Sequence, residues 1–279
     1  MTTKRQTTML VTNNLTLNDL ISICPLRLAN TYQPHLATTP SLELKTAMEY
    51  TLQNGGKRIR PLLIYAAGAI FNAPSENLDI PATSVELIHT YSLIHDDLPC
   101  MDNADLRRGK PTCHKVHGEG MAVLTGDALH TLAMQIMANH PAPLKAERRL
   151  QMIHILSEAC GPHGMAAGQA LDITALIDLN IPLDLLENIY KLKTGALLSA
   201  CIELGRLASD DDSDFNRLAL KRFGDCIGFA FQIQDDILDI EATTEVSGKP
   251  QGIDLINNKI TYPRICGIEA AKAKVAQLY

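Results

Sequence analysis

The chain has 279 residues, 46% of them hydrophobic and only 4% aromatic, with no Trp and a net charge of −6. That length allows one large helical domain or two small ones, and apolar content drawn from Leu, Ile, Ala and Met favours helix over an aromatic-rich sheet. An acidic balance without a long basic run excludes a nucleic-acid backbone as partner.

The first 18 residues carry no acid, are rich in Thr and Asn, and lack the apolar stretch of a secretory signal, so a frayed end is expected over about 1–18. Apolar residues at helical spacing run over Leu15–Asn30 and Ser41–Asn54, each closing at turn signals. Gly55-Gly56 breaks the second segment, and Lys57-Arg58-Ile59-Arg60-Pro61 leads into a third, Leu62–Phe71. A helix from about Pro81 follows. Val85, Leu87, Ile88, Tyr91 and Ile94 lie around its circumference, which predicts burial, and it runs into His95-Asp96-Asp97 before Pro99 stops it.

Beyond a polar loop, Gly120–Asn139, Arg148–Cys160, Ala166–Ile177 and Leu183–Leu207 read as helices. A polar break at Ser209–Asp214 precedes one last long helix, from Phe215 to about Ile240. No alternating strand, repeat or linker is evident, and no apolar run approaches the ~20 residues of a transmembrane helix, so no membrane insertion is expected. The expected class is all-α: one domain over 1–279, a bundle of long antiparallel helices around a central cavity. Seven Cys without a CxxC pair predict reduced thiols in the cytoplasm. Cys113 and His114 adjoin, but no further ligands stand at zinc spacing.

Asp96, Asp97 and Asp102 lie at and just past the C-terminal end of one apolar helix, and Asp235, Asp236 and Asp239 at the C-terminal end of another. A helix C-terminus carries partial negative charge, so each acid there costs about 0.3–1 kcal/mol, and two such clusters call for a cation. Oxygen-only ligands select Mg²⁺, held by one or two carboxylates plus substrate phosphate. Asp235 and Asp239, at i and i+4, point from one helix face. Asp96 and Asp102 converge only through the loop that Pro99 turns. A solvated helix cap is the alternative for each cluster. Arg107-Arg108 follow the first cluster, Lys57 and Arg60 follow the Gly-Gly break, and Lys193, Lys249 and Lys259 are spread downstream. Each alone is an ordinary surface charge. Together with the acids they suit a site for two diphosphates, some oxygens on metal and some on Arg forks.

The run from His95-Asp96-Asp97-Leu98-Pro99-Cys100-Met101-Asp102 to Arg107-Arg108-Gly109 resembles the first aspartate-rich motif of the trans-isoprenyl diphosphate synthases, and Phe231-Gln232-Ile233-Gln234-Asp235-Asp236-Ile237-Leu238-Asp239 resembles the second. Gly55–Pro61, Gly168–Asp172, Lys193–Leu197 and Thr261-Tyr262-Pro263 match further blocks of that family, so that the resemblance runs from about Ser41 to the end. Its farnesyl diphosphate synthase branch in bacteria is the nearest part.

The resemblance implies the isoprenoid synthase fold, a homodimer, and head-to-tail condensation of isopentenyl diphosphate with dimethylallyl and geranyl diphosphates, using about three Mg²⁺ ions per site. It implies Asp96, Asp102 and Asp235 as metal ligands, supported by Asp97, Asp236 and Asp239. It implies Arg107, Lys193 and Lys249 on the allylic diphosphate, Lys57, Arg60, His89 and Arg108 on isopentenyl diphosphate, and Thr194 and Gln232 facing the reacting carbons. Lys259 belongs to the same substrate site. Read alone, His89 is a core histidine and Gln232 a helix–helix hydrogen bond.

Tyr91 lies five residues before Asp96, about 7.5 Å along the helix axis. The resemblance makes it the floor of a fifteen-carbon product pocket; plain core packing is the alternative. The chain departs from the family pattern at Ala104, where an acid is common, and at Asn257-Asn258-Lys259, where Gly-Lys is usual. It also stops at Tyr279, short of where relatives of this type end. Three rival readings stay open: a geranylgeranyl diphosphate synthase, a terpene cyclase (against which the complete second motif argues), and a non-catalytic prenyl-diphosphate-binding homologue.

Overall fold

A computed structural model describes residues 16–175, 181–241 and 260–279. It opens with α1 (Leu17–Ala37), α2 (Leu42–Leu52), α3 (Ile59–Ile70) and α4 (Ser75–Asp96). Thr16 caps α1 reciprocally: its hydroxyl accepts from the Asp19 N–H at 3.2 Å, and the Asp19 carboxylate accepts from the Thr16 N–H at 2.8 Å. The frayed end expected over 1–18 therefore gives way to helix at Leu17, while residues 1–15 lie outside the described residues. Helix α1 also runs past Asn30 and carries Pro25 and Pro34 inside it. Burial of Leu20, Cys24, Leu28, Tyr32 and Leu36 along one face outweighs the broken backbone bonds.

Helix α4 begins two turns before Pro81, the residue expected to start it. Leu78 and Ile80 are fully buried, so packing extends the helix upstream of the proline. A two-residue hairpin, β1 (Leu106–Arg107) with β2 (Lys110–Pro111), stands where no strand was expected. Its register pairs Leu106 with Pro111 and Arg107 with Lys110, leaving Arg108 and Gly109 as the turn, both at positive φ (54° and 77°). That is the turn geometry whose twist suits a tight hairpin, and strands this short carry no alternation to read.

The chain continues through α5 (Cys113–His117), α6 (Glu119–Asn139), α7 (Ala146–Cys160) and α8 (Met165–Ala175) to α9 (Leu183–Tyr190). The helix expected over Leu183–Leu207 is interrupted: Lys191–Gly195 form a π-helical turn, and α10 (Ala196–Leu207) resumes after it. Helix α11 (Asp214–Glu241) is the long helix expected there, and among the described residues two short helices, α12 (Tyr262–Cys266) and α13 (Ile268–Leu278), follow it.

Helix α4 is the central post, packed against α6, α3, α1 and α10. Val85, Leu87 and Ile88 are fully buried within the larger apolar cluster. A smaller cluster joins α9, α11, α12 and α13 through Tyr190, Phe229, Ile233, Tyr262, Ala271 and Val275. The π turn is clamped between two helices. A Cβ at Gly168 on α8 would fall 2.2 Å from the Lys193 backbone N, and one at Gly228 on α11 would fall 2.8 Å from the Gly195 Cα. No helix among the described residues is long and apolar enough to cross a membrane. All seven cysteines are free thiols, and Cys24, Cys113, Cys160 and Cys201 are buried.

Replacing Gly228 by Ala forces a methyl group onto backbone that cannot yield. It is expected to cost about 1–3 kcal/mol, a drop of several degrees in Tm on calorimetry. Gly120→Ala on α6, whose added Cβ meets open space, should leave Tm unchanged or slightly raised.

Candidate active site

The first acidic cluster is built by the end of α4 folding over itself. The Asp102 N–H donates to the Asp96 carbonyl at 2.8 Å and the Ala104 N–H to the Asp97 carbonyl at 3.2 Å, bringing Asp102 beside Asp96. The two adjacent aspartates then part. Asp97 is buried and forked by Arg107, whose Nε and Nη2 donate to its two oxygens at 2.6–2.9 Å. The half-buried Asp96 is pushed up to about 6 by burial, with the charges of Asp102 and Asp97 adding to it and those of Lys193 and Arg107 opposing. A carboxylate so placed is stabilised by a cation.

The second cluster divides the same way. Asp236 is 1% exposed and accepts from the Tyr190 hydroxyl at 2.5 Å, the Tyr262 N–H at 3.0 Å and Gln232 Nε2 at 3.4 Å. Asp235 is exposed and Asp239 half-buried. At i and i+4 these two share a face of α11, while Asp236, one residue round, points into the core.

The π turn connects the clusters. Its extra residue per turn is a feature found at functional sites. Here Lys193 Nζ meets Asp172 Oδ2 on α8 at 2.5 Å while its charge reaches Asp96. The Thr194 hydroxyl donates to Gln232 Oε1 at 2.8 Å, and Gln232 passes the chain on to Asp236. Lys193 and Arg107, expected to face a substrate, are thus both held by carboxylates of the protein.

The expected basic group assembles around the Gly-Gly turn. The Arg108 guanidinium donates to the Gly55 carbonyl and lies against Gly56, where a Cβ would fall 2.5 Å from its central carbon. Arg60 Nη1 lies 3.4 Å from His89 Nε2, and the buried Arg60 Nε has no partner among the described residues. Burial, then the charges of Arg60, Arg108, Arg107 and Arg58, push His89 well below the usual histidine range, so the ring is neutral. Lys57 is exposed at the rim. A small cleft lined by Asn54, Asp97, Arg107 and Arg108 among others lies between α2, α4 and the hairpin. Positive charge is thus concentrated around the Gly-Gly turn, with the Arg60 Nε donor unsatisfied among the described residues.

Tyr91 is half-buried one turn before His95, its ring edge-to-face with His95 at 5.7 Å and with His130 of α6 at 5.1 Å between centroids. Lys249 and Lys259 lie outside the described residues. Among the described residues no three His, Cys, Asp or Glu side chains form a ready-made metal cage. The donor set is carboxylate oxygen at Asp96, Asp102 and Asp235, which fits Mg²⁺ completed by waters and phosphate rather than a closed protein site.

Sequence reasoning missed the anchors. Asp172, Tyr190 and Tyr262 hold Lys193 and Asp236, and the inward Arg58 pairs with Glu86 of α4. Glu86, a lone carboxylate amid the apolar run of α4, is the one that composition alone could have flagged.

This geometry has known counterparts. The chain matches the family described as Polyprenyl synthetase over residues 41–279. It is 48% identical over 241 residues to the farnesyl diphosphate synthase of Escherichia coli (strain K12), covering 86% of this chain and 79% of that one. Among solved structures, geranyltransferase from Legionella pneumophila superposes with a TM-score of 0.83 at 36% identity, over 94% of this chain and 87% of that one. Geranyltransferase from Helicobacter pylori complexed with magnesium and isoprenyl diphosphate superposes with a TM-score of 0.77 at 35% identity, over 92% and 87%. With both acidic clusters, the basic turn and the helical bundle in place, the chain belongs to the polyprenyl synthetase family.

Proposed function

We propose that this protein is a magnesium-dependent prenyltransferase that condenses isopentenyl diphosphate with dimethylallyl and then geranyl diphosphate, giving farnesyl diphosphate and pyrophosphate. The observation that carries the reading is the π turn, whose Lys193 and Thr194 reach toward the two carboxylate clusters, with the basic residues of the Gly-Gly turn and the hairpin grouped beside the first. Two diphosphates with different needs fit those two places. The likeness to a farnesyl diphosphate synthase and to a geranyltransferase complexed with magnesium supports it.

In this reading Asp96 and Asp102 on α4 and Asp235 on α11 would hold Mg²⁺, about three ions, with Asp97, Asp236 and Asp239 supporting them. Mg²⁺ held by these carboxylates would supply charge neutralisation of the allylic diphosphate, making it a better leaving group. Arg107 and Lys193, with Lys249, grip that diphosphate, exchanging protein carboxylates for phosphate oxygens. Lys57, Arg60, His89 and Arg108 bind isopentenyl diphosphate, and Lys259 belongs to the same substrate site. As the allylic C–O bond breaks, the Thr194 hydroxyl and the Gln232 carbonyl present oxygen dipoles to the electron-poor carbon. The isopentenyl double bond forms the new C–C bond, and the proton it sheds goes to the departed pyrophosphate. The apolar wall of α4 excludes water from the cation.

The reading takes 1–279 as one synthase domain in a cytoplasmic homodimer. Val116, Val123 and Leu124, exposed around α5 and α6, would offer apolar surface to a second copy.

The paired aspartates should separate in experiment. Asp235→Ala and Asp96→Ala are expected to cut turnover by several orders of magnitude with Tm equal or higher, because each removes an acid from a helix C-terminus. Asp236→Ala should lower Tm by several degrees, since it strips the Tyr190 hydroxyl and the Tyr262 N–H of their acceptor. Wild-type turnover of Asp235→Ala at saturating magnesium would overturn the metal assignment.

Tyr91 tests the product. Its truncation to Ala opens the wall next to His130, and product should shift from fifteen toward twenty carbons with the first condensation nearly unaffected. Chromatography of the dephosphorylated products reads the outcome. A wild-type product of twenty carbons would replace the farnesyl reading by the geranylgeranyl one.

A further inference from the structure

The basic pocket rests on a carboxylate. Glu86 is 5% exposed in the middle of α4, one turn before His89 and on the same helix face. Its partner is Arg58, which forms a close ion pair with it, and whose Nη2 also donates to the Leu52 carbonyl at 2.6 Å. Leu52 is the last residue of α2, so that carbonyl is one of those a helix end leaves without an intrahelical donor. One guanidinium thus ties the end of α2 to the middle of α4.

Arg58 stands at φ 50°, the left-handed residue from which α3 starts. Its inward side chain fixes how the backbone turns between Lys57 and Arg60. Upstream of Lys57, the Gly55 carbonyl anchors Arg108. Of the groups assigned to the anion pocket, Lys57 and Arg60 hang from the segment that Arg58 pins, and Arg108 of the hairpin turn rests on the Gly55 carbonyl just upstream of it.

A plain stabilising role is a weak account of this pair. Burying two charges returns little net stability. A carboxylate under an anion pocket also opposes the anion. Its charge acts on both Arg60 and Arg108. What the pair supplies is geometry. We propose that Glu86 and Arg58 are positioning residues for the diphosphate bound by Lys57, Arg60, His89 and Arg108, touching neither substrate. The inference rests on the assignment of that pocket to isopentenyl diphosphate.

Glu86→Gln keeps the shape and removes the charge that holds Arg58. If the pair positions, the KM for isopentenyl diphosphate should rise about tenfold while the allylic KM stays within about twofold. If the carboxylate acts only as a repelling charge, the same variant should lower the isopentenyl KM, and that sign would overturn the proposal. Parallel rises in both KM values, or no change in either, would overturn it as well. Arg58→Lys retains the charge but cannot span Glu86 and the Leu52 carbonyl together. It should raise the isopentenyl KM several-fold, and it decides the matter should Glu86→Gln fail to fold. Arg108→Ala run alongside tests the pocket itself. A rise in the isopentenyl KM upholds the assignment, whereas a rise in the allylic KM alone shows that the pocket, not the positioning pair, was misread.

Discussion

The site depends on a place where two stretches of backbone touch. Gly228, in the middle of α11, approaches Gly195 at the close of the π turn so closely that Gly228 has no room for a side chain on that side. Gly168 presses the same turn from α8. Held from both sides, Lys193 and Thr194 come within reach of groups on different helices. Lys193 meets Asp172 and influences Asp96 at the end of α4, while Thr194 bonds Gln232 on α11. The turn lies between two acidic helix ends far apart in sequence, and it fits there because Gly168 and Gly228 present no side chain to it.

Each aspartate pair then divides its labour. Asp97 and Asp236 are consumed by the protein, one by a guanidinium fork and the other by a tyrosine hydroxyl, a backbone N–H and a glutamine. Their neighbours Asp96 and Asp235 have no such hydrogen-bond partners among the described residues, which suits the metal role proposed for them. Adjacent residues on a helix are turned about 100° apart, so one of each pair must face inward when the other faces out. The inward carboxylates orient the helix ends, and the outward ones bear the cost of negative charge at a negative helix terminus.

Most of the bundle was legible as apolar periodicity, because helices packed on several sides repeat their apolar residues at turn spacing whatever their partners are. The exceptions have separate causes. The start of α4 was misplaced because Pro81 looks like a first helical residue, whereas Leu78 and Ile80 pack the helix upstream of it. The hairpin at Leu106–Pro111 is too short to alternate. The π turn leaves composition untouched, since only the backbone bonding of Lys191–Gly195 changes. Both acidic clusters stood out by type and position, but which member of each pair the protein uses depends on partners such as Arg107, Tyr190 and Tyr262. Glu86 and Arg58, 28 residues apart, form a pair that spacing alone cannot match.

The π turn also constrains how this segment can vary. Exchanging one side chain for another at Lys191–Gly195 alters what is displayed but leaves the surplus residue in place. Only loss or gain of a residue resets the count. Losing one would restore ordinary helix and swing everything on one side of the cut by about 100° relative to the other, carrying either Lys193 and Thr194 or the Gly195 contact out of line. In genetic terms a missense change here alters one displayed side chain, whereas an in-frame deletion displaces several at once. Length at this point is a heritable feature in its own right, beside the identities of Lys193 and Thr194.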